Sequence, residues 1–151
     1  MRLALAADHA GFPTKQELVT YLKGRGHEVL DLGTHSTDAV DYPDSAEAAA
    51  RAVKEGRAER AIIVCGSGAG VSIAANKIPG IRAAVCHDTY TAHQAVEHDD
   101  LNVLCIGGRV VGLNVAQELA DAFVAARFSG EPRHQRRLDK VLAIEARYLR
   151  A

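Results

Sequence analysis

The residues richest in chemistry run Cys65-Gly66-Ser67-Gly68-Ala69-Gly70. A thiol is followed at once by three alternating glycines and a hydroxyl. Glycine admits positive φ and lets the backbone approach a ligand closely. Amide N–H groups turned towards one point hold an anion, or the oxyanion of a reaction intermediate. A helix N-terminus and nearby cations favour the thiolate form of a cysteine beside them, which suits it to act as a base or nucleophile. Two familiar glycine loops do not fit. The dinucleotide loop is spaced G-x-G-x-x-G and follows a first strand, whereas this spacing is G-x-G-x-G. The phosphate loop ends in Gly-Lys-Ser/Thr, which is absent here. The plain alternative is a tight turn with no chemistry. Three alternating glycines at the end of a buried strand weigh against it.

Those residues need elements to position them. Ala61 to Val64 is apolar and β-branched at three of four positions, as a strand covered on both faces would be. The stretch after the glycines, to Lys77, reads as a helix. Upstream, Arg2 to Ala7 is a first strand ending in Asp8-His9-Ala10-Gly11. Phe12-Pro13 opens a helix to about Lys23, with Leu18, Val19 and Leu22 on one face; proline is tolerated in a first turn. Glu28 to Leu32 is a second strand. Residues 33–44 form a polar loop containing Asp41-Tyr42-Pro43, and an alanine-rich helix runs from about Ser45 to Glu55. Downstream come a strand from Arg82 to Cys86, a helix from Thr89 to about His98, and a strand from Asn102 to Ile106 that ends in Gly107-Gly108-Arg109. A helix from Asn114 to Arg127 follows. A last one, from about His134 to Arg150, carries Leu138, Val141, Leu142, Tyr148 and Leu149 as its apolar side.

Strands alternating with helices predict a three-layer, Rossmann-like α/β sandwich around a five-stranded parallel sheet, with an added C-terminal helix. Residues 1–151 form one domain, with the α/β core at 1–127 and an extension at 128–151. Ligands of such sheets bind outside the carboxyl ends of the strands. That edge receives Asp8 and His9, Cys65 and Gly66, and Arg109. His98 ends the helix before strand five, so its reach to that edge is less direct.

Composition narrows the classes. With 48% hydrophobic and 25% charged residues among 151, the chain suits a single soluble domain. No apolar run matches a membrane span, and the N-terminus enters a strand without a signal-peptide pattern. Cys65, Cys86 and Cys105 make neither a disulfide framework nor a paired C-x-x-C zinc motif, so a reducing, cytoplasmic setting is expected. A net charge of −1 does not favour nucleic acid. Residues 127–151 nevertheless hold seven Arg/Lys against three Asp/Glu. A solvated helix face or a local anion site would explain that run.

Several segments together carry a resemblance. They are Asp8 to Gly11, Asp41-Tyr42-Pro43, Cys65 to Lys77, Gly80 to Ala83, His98, Asn102 to Leu104, Gly108 to Gly112 and Arg133 to Arg137. The chain resembles the type B ribose-5-phosphate isomerases, a family that includes the galactose-6-phosphate isomerase subunits. The resemblance implies interconversion of an aldose and a ketose phosphate with no metal or cofactor. A base removes the proton beside the carbonyl, an enediolate forms, and the proton returns to the neighbouring carbon. By resemblance Cys65 is that base, and Gly66, Ser67, Gly68, Ala69 and Gly70 supply N–H groups to the enediolate oxygen. His98 resembles the residue that opens the furanose ring. Asp99 follows it where many relatives carry Asn. Asp8 would orient sugar hydroxyls, Tyr42 would line the ring, and His9, Arg109, Arg133 and Arg137 would hold the phosphate. Arg133 and Arg137, four apart, share a helix face, and guanidinium groups donate to phosphate in pairs.

The substrate expected is ribose 5-phosphate, with six-carbon (allose or galactose 6-phosphate) and four-carbon sugar phosphates as alternatives. A non-catalytic nucleotide-binding module would explain the glycine loop, but not Cys65, His98 and the arginines together. The last helix has little left to cover in its own subunit. A homodimer that shares this segment is therefore expected, and the resemblance implies dimers of this kind and larger assemblies built from them, such as a tetramer of two dimers.

Overall fold

The computed structural model describes residues 1–149. Five strands, β1 (Arg2–Ala7), β2 (Glu28–Asp31), β3 (Arg60–Cys65), β4 (Ala83–Val85) and β5 (Val103–Gly107), form one sheet in the order β2-β1-β3-β5-β4. Every pairing is parallel. Parallel neighbours need crossovers, and the helices supply them. These are α1 (Phe12–Gly24), α2 (Tyr42–Lys54), α3 (Ala69–Ala75), α4 (Thr89–Asp99) and α5 (Leu113–Ala125), with α6 (Pro132–Tyr148) following.

Side-chain alternation along each strand allots residues to two cores. Leu3, Leu5, Ile62, Val64, Leu104 and Ile106 pack with Leu18 and Leu22 of α1, Val96 of α4, and Leu119 and Phe123 of α5. Ala4, Ala6, Ile63, Cys65 and Cys105 face the other way, onto Ala46, Ala49 and Ala50 of α2 and Val71 of α3. The three layers and five parallel strands are those expected from the sequence. The alanines let α2 approach the sheet closely.

Several boundaries differ. The expected loop is shorter, because α2 starts at Tyr42 instead of Ser45 and takes Pro43 into its first turn, where a missing N–H costs nothing. Ser45 is thereby buried and donates to the Ala7 carbonyl at 2.8 Å. Strand β4 is confined to Ala83–Val85, since the Arg82 amide is taken by the Asn102 side chain. Helix α5 ends at Ala125, and Arg127 turns back to donate to the carbonyls of Val124 and Ala126. Helix α6 begins at Pro132 and ends at Tyr148; Arg150, its expected end, lies outside the described residues.

Helix α1 also buries a charge that hydrophobic periodicity does not anticipate. Lys15 is fully buried, and its Nζ donates to Asp31 Oδ1 at 2.5 Å and to the Thr34 carbonyl at 2.6 Å. It thus ties α1 to the loop after β2. Removing one partner of a buried pair strands the other charge. Asp31→Ala is therefore expected to lower stability by about 3 kcal/mol. Lys15→Met, which leaves a partly exposed carboxylate in place of a buried ammonium, should lower it by clearly less. Urea unfolding of both variants checks the order, and equal losses would contradict it.

Candidate active site

The strand order reverses at β1. From there the chain goes first to β2 on one side and then to β3 on the other. The loops after β1 and β3 therefore diverge and leave a crevice at the carboxyl edge. An open cleft of about 520 Å³ lies there, lined by Asp8, His9, Ala10, Tyr42, Cys65, Gly66, Ser67, Gly70, Arg109 and Val110. Eight of the residues named from the sequence meet in it.

Each is held by its element. Asp8 follows β1, is buried, and accepts the Gly11 N–H on Oδ1 at 3.0 Å. The Val40 N–H donates to His9 Nδ1 at 3.1 Å. In a neutral ring with Nδ1 accepting, the ring hydrogen is on Nε2. Tyr42 reaches the cleft from the first turn of α2 and packs against Gly70, where an added Cβ would come within 2.9 Å of the ring. A side chain at position 70 would displace this wall of the cleft.

Cys65 is the last residue of β3. Its sulfur accepts the Gly68 N–H at 3.0 Å. Gly68 has φ +81°, a left-handed conformation that glycine adopts without strain and that starts α3. The Ala69 N–H is turned onto Ser67 Oγ at 3.2 Å. Two loop amides are thus engaged within the loop, one of them on the sulfur itself. The Gly108 N–H donates to the Cys65 carbonyl at 2.8 Å and the Arg109 N–H to the Gly66 carbonyl at 3.1 Å. These bonds fasten the loop after β5 to the glycine loop, and the Arg109 side chain lies beside Gly66.

The remaining predicted residues lie elsewhere in the chain. Helix α4 runs back from the carboxyl edge, so His98 and Asp99 at its end sit at the amino edge, just before β5. The length of β5 separates them from Cys65, roughly 15 Å at 3.3 Å per residue. Helix α6 packs on this end of α4, with the His98 and His134 rings stacked at 3.9 Å. Arg133 and Arg137 are exposed in the first two turns of α6, and Arg137 and Asp99 line a second cleft of about 340 Å³ with Arg82, Leu138 and Val141. These residues therefore form two separate groups on opposite edges of the sheet.

The Val40 amide, Ala10 and Val110 were not foreseen. Backbone donors and small apolar wall residues carry no type signal in a sequence. His87 accepts the Gly107 N–H on Nε2 at 2.9 Å and pins the end of β4 to that of β5. Among the described residues, no three His, Cys, Asp or Glu side chains gather as a metal-ligand set, and no helix is long and apolar enough to cross a membrane.

Sheet order and cleft position together are those of the doubly wound α/β enzymes. Within that class the chain belongs to the Ribose/Galactose Isomerase family, whose sequence profile matches residues 3–141. It is 47% identical to the ribose-5-phosphate isomerase B of Escherichia coli K12, over 97% of each chain. The structure of Clostridium thermocellum ribose-5-phosphate isomerase B superposes with a TM-score of 0.95 at 48% identity, over 98% of this chain and 99% of the other. The type B ribose 5-phosphate isomerase of Trypanosoma brucei gives 0.92 at 49% identity, over 95% and 98%.

The three thiols differ in environment. Burial pushes the Cys86 thiol up to about 11 and the Cys105 thiol higher still. Only thiolates alkylate readily, and of the three only Cys65 lines the cleft. Iodoacetamide on the native protein between pH 7 and 9 is expected to label Cys65 alone, with Cys86 and Cys105 reacting only after unfolding. Peptide mass spectrometry reads the sites, and native labelling of Cys105 would contradict this account.

Proposed function

We propose that this protein interconverts ribose 5-phosphate and ribulose 5-phosphate, with Cys65 as the base. The observation that carries the reading is the Cys65 sulfur at the wall of the switch-point cleft, beside Asp8, His9, Tyr42 and Arg109, in a chain of this family.

In the open-chain aldose, the Cys65 thiolate takes the proton from C2. The C–H electron pair becomes the C1–C2 double bond and the carbonyl oxygen becomes an oxyanion. Loop amides not already engaged within the loop stabilise it where charge develops. The thiol then returns the proton to C1, while the C2 hydroxyl proton passes to the O1 oxyanion, leaving a C1 hydroxyl and a C2 ketone. Asp8 Oδ2 is available to sugar hydroxyls, because Oδ1 is held by Gly11. His9 presents Nε2–H, with Nδ1 fixed by Val40, and Arg109 adds a fixed positive charge. These two make the near half of a phosphate site. Binding of the phosphate, remote from the reacting carbons, serves to place C2 against the sulfur.

The other half is supplied by a second subunit. His98, Asp99, Arg133 and Arg137 stand too far from Cys65 to serve the same cleft in one chain. The outer face of α6 leaves Val141, Ile144 and Tyr148 at 51%, 51% and 80% exposure, an apolar surface that a soluble monomer tends to avoid. A two-fold dimer would cover it and bring the basic head of α6 and His98 to the partner's cleft, each subunit giving and receiving the same segment. There His98 opens the furanose ring by proton transfer, and the two arginines complete the phosphate site.

Cys65→Ala is expected to lower turnover of ribose 5-phosphate by at least about 10²–10⁴ while leaving the thermal midpoint nearly unchanged; parental turnover would remove Cys65 from the role of base. Ribose 5-phosphate should be turned over faster than allose 6-phosphate, galactose 6-phosphate and erythrose 4-phosphate. Mixing Cys65→Ala chains with Arg137→Ala chains should restore activity, since a heterodimer then holds one intact site. No recovery despite demonstrated subunit exchange would place both residues in one subunit.

A further inference from the structure

His134 has no role in the reaction as described so far, yet it is the most enclosed polar residue of α6. It is 2% exposed in a helix whose only other buried residue is Leu138. Its ring lies over the His98 ring, with centroids 3.9 Å apart and planes 26° from parallel. Its Nδ1 is 2.5 Å from Ser129 Oγ. That segment is itself tied to α4, because the Ser129 N–H donates to the Glu97 carbonyl at 3.0 Å. The Glu131 N–H donates to the same hydroxyl at 3.2 Å. On the other side, the Gln94 side-chain amide is 2.9 Å from His98 Nδ1. The His98 ring is therefore gripped twice, over its face by His134 and at one edge by Gln94, and Nε2 is the nitrogen left for a substrate.

We propose that His134 is a positioning residue that fixes the plane of the His98 imidazole for ring opening, an inference that rests on the reading of His98 given above. The arrangement explains three features. A polar residue is buried at the head of an otherwise exposed helix because its ring is wanted there as a flat surface. Its hydrogen bond to Ser129 satisfies the one nitrogen that faces protein, as burial requires. Burial, and then the neighbouring His98 ring, hold the His134 imidazole below its usual pKa, which favours a neutral ring in the stack. Proton transfer to a ring oxygen needs donor and acceptor within hydrogen-bond reach and in line. An unsupported imidazole at the end of α4 would rotate about its side-chain torsions and spend little time so aligned.

Two substitutions separate the stack from the hydrogen bond. His134→Phe keeps a flat ring over His98 and loses the contact to Ser129. His134→Asn keeps a polar atom near Ser129 and loses the ring. Steady-state turnover of ribose 5-phosphate is measured for both, below the thermal midpoint of each variant. His134→Phe should stay within about threefold of the parent. His134→Asn should lose roughly 10- to 100-fold in kcat, the scale of a misplaced catalytic group, with KM changed less than kcat. Made in a His98→Asn background, His134→Asn should cost nothing further, because a residue that acts through another has no effect once the other is gone. Phe and Asn variants falling equally, or a loss that persists undiminished in the His98→Asn background, would overturn the proposal in favour of a general packing role. His98→Asn separates the two levels. If it keeps parental kcat, the ring-opening assignment falls and this inference with it. If it loses turnover while His134→Asn does not, the assignment stands and only the positioning role fails.

Discussion

The parallel pairing of β1 with β3 is the constraint on which the site depends. Leu3 to Ala7 lie in register with Arg60 to Val64, so the two strands end side by side and Asp8 and Cys65 emerge together. The Asp8 N–H then donates to the Val64 carbonyl at 3.3 Å, and Gly11 passes so close to that carbonyl that a Cβ would lie 2.2 Å from it. No side chain fits there. The connection after β1 must be glycine at that point for the two loops to come together. Both walls of the cleft thus begin at hydrogen-bonded strand ends.

The same sheet decides what each face can hold. Alternation sends Cys65 to the side of α2 and α3, where alanines allow close approach and α3 starts immediately behind the sulfur. A shift of one residue in β3 would turn the thiol into the opposite core. Cys105, in the same core as Cys65, shows what depth along the strand does instead. It lies two positions deeper on the neighbouring strand, fully buried, with its thiol held protonated. Identical side chains in one core thus differ in chemistry only through their distance from the strand end.

The far edge follows a different logic. Helix α6 is joined to α4 by stacked imidazoles and to the loop before β4 by the Gly80 N–H on Glu145 Oε1 at 2.9 Å. It contributes little to the cores and leaves most of its apolar side outward. Its first turns carry Arg133 and Arg137 at the end of α4 where His98 and Asp99 lie, with Arg137 and Asp99 lining one cleft. The topology keeps that group away from Cys65, because α4 must run back along the sheet to reach the start of β5.

The sequence by itself determined the strands, the crossovers and the glycine loop, because burial on two faces, helical spacing and turn chemistry are local properties that residue types report directly. Its motifs also named the family and eight of the ten residues that line one cleft. It did not determine the start of α2 at Tyr42, since propensity favours the alanine run and only the contact of Ser45 with the Ala7 carbonyl shows the helix beginning earlier. Nor did it reveal the ion pair of Lys15 with Asp31, which joins residues of two different elements. The strand order β2-β1-β3-β5-β4, the separation of His98 from Cys65 and the stacking of His134 on His98 were decided by tertiary structure alone. Each is a relation between segments distant in the chain, and such relations are set by how faces pack and strands pair, which no local pattern records.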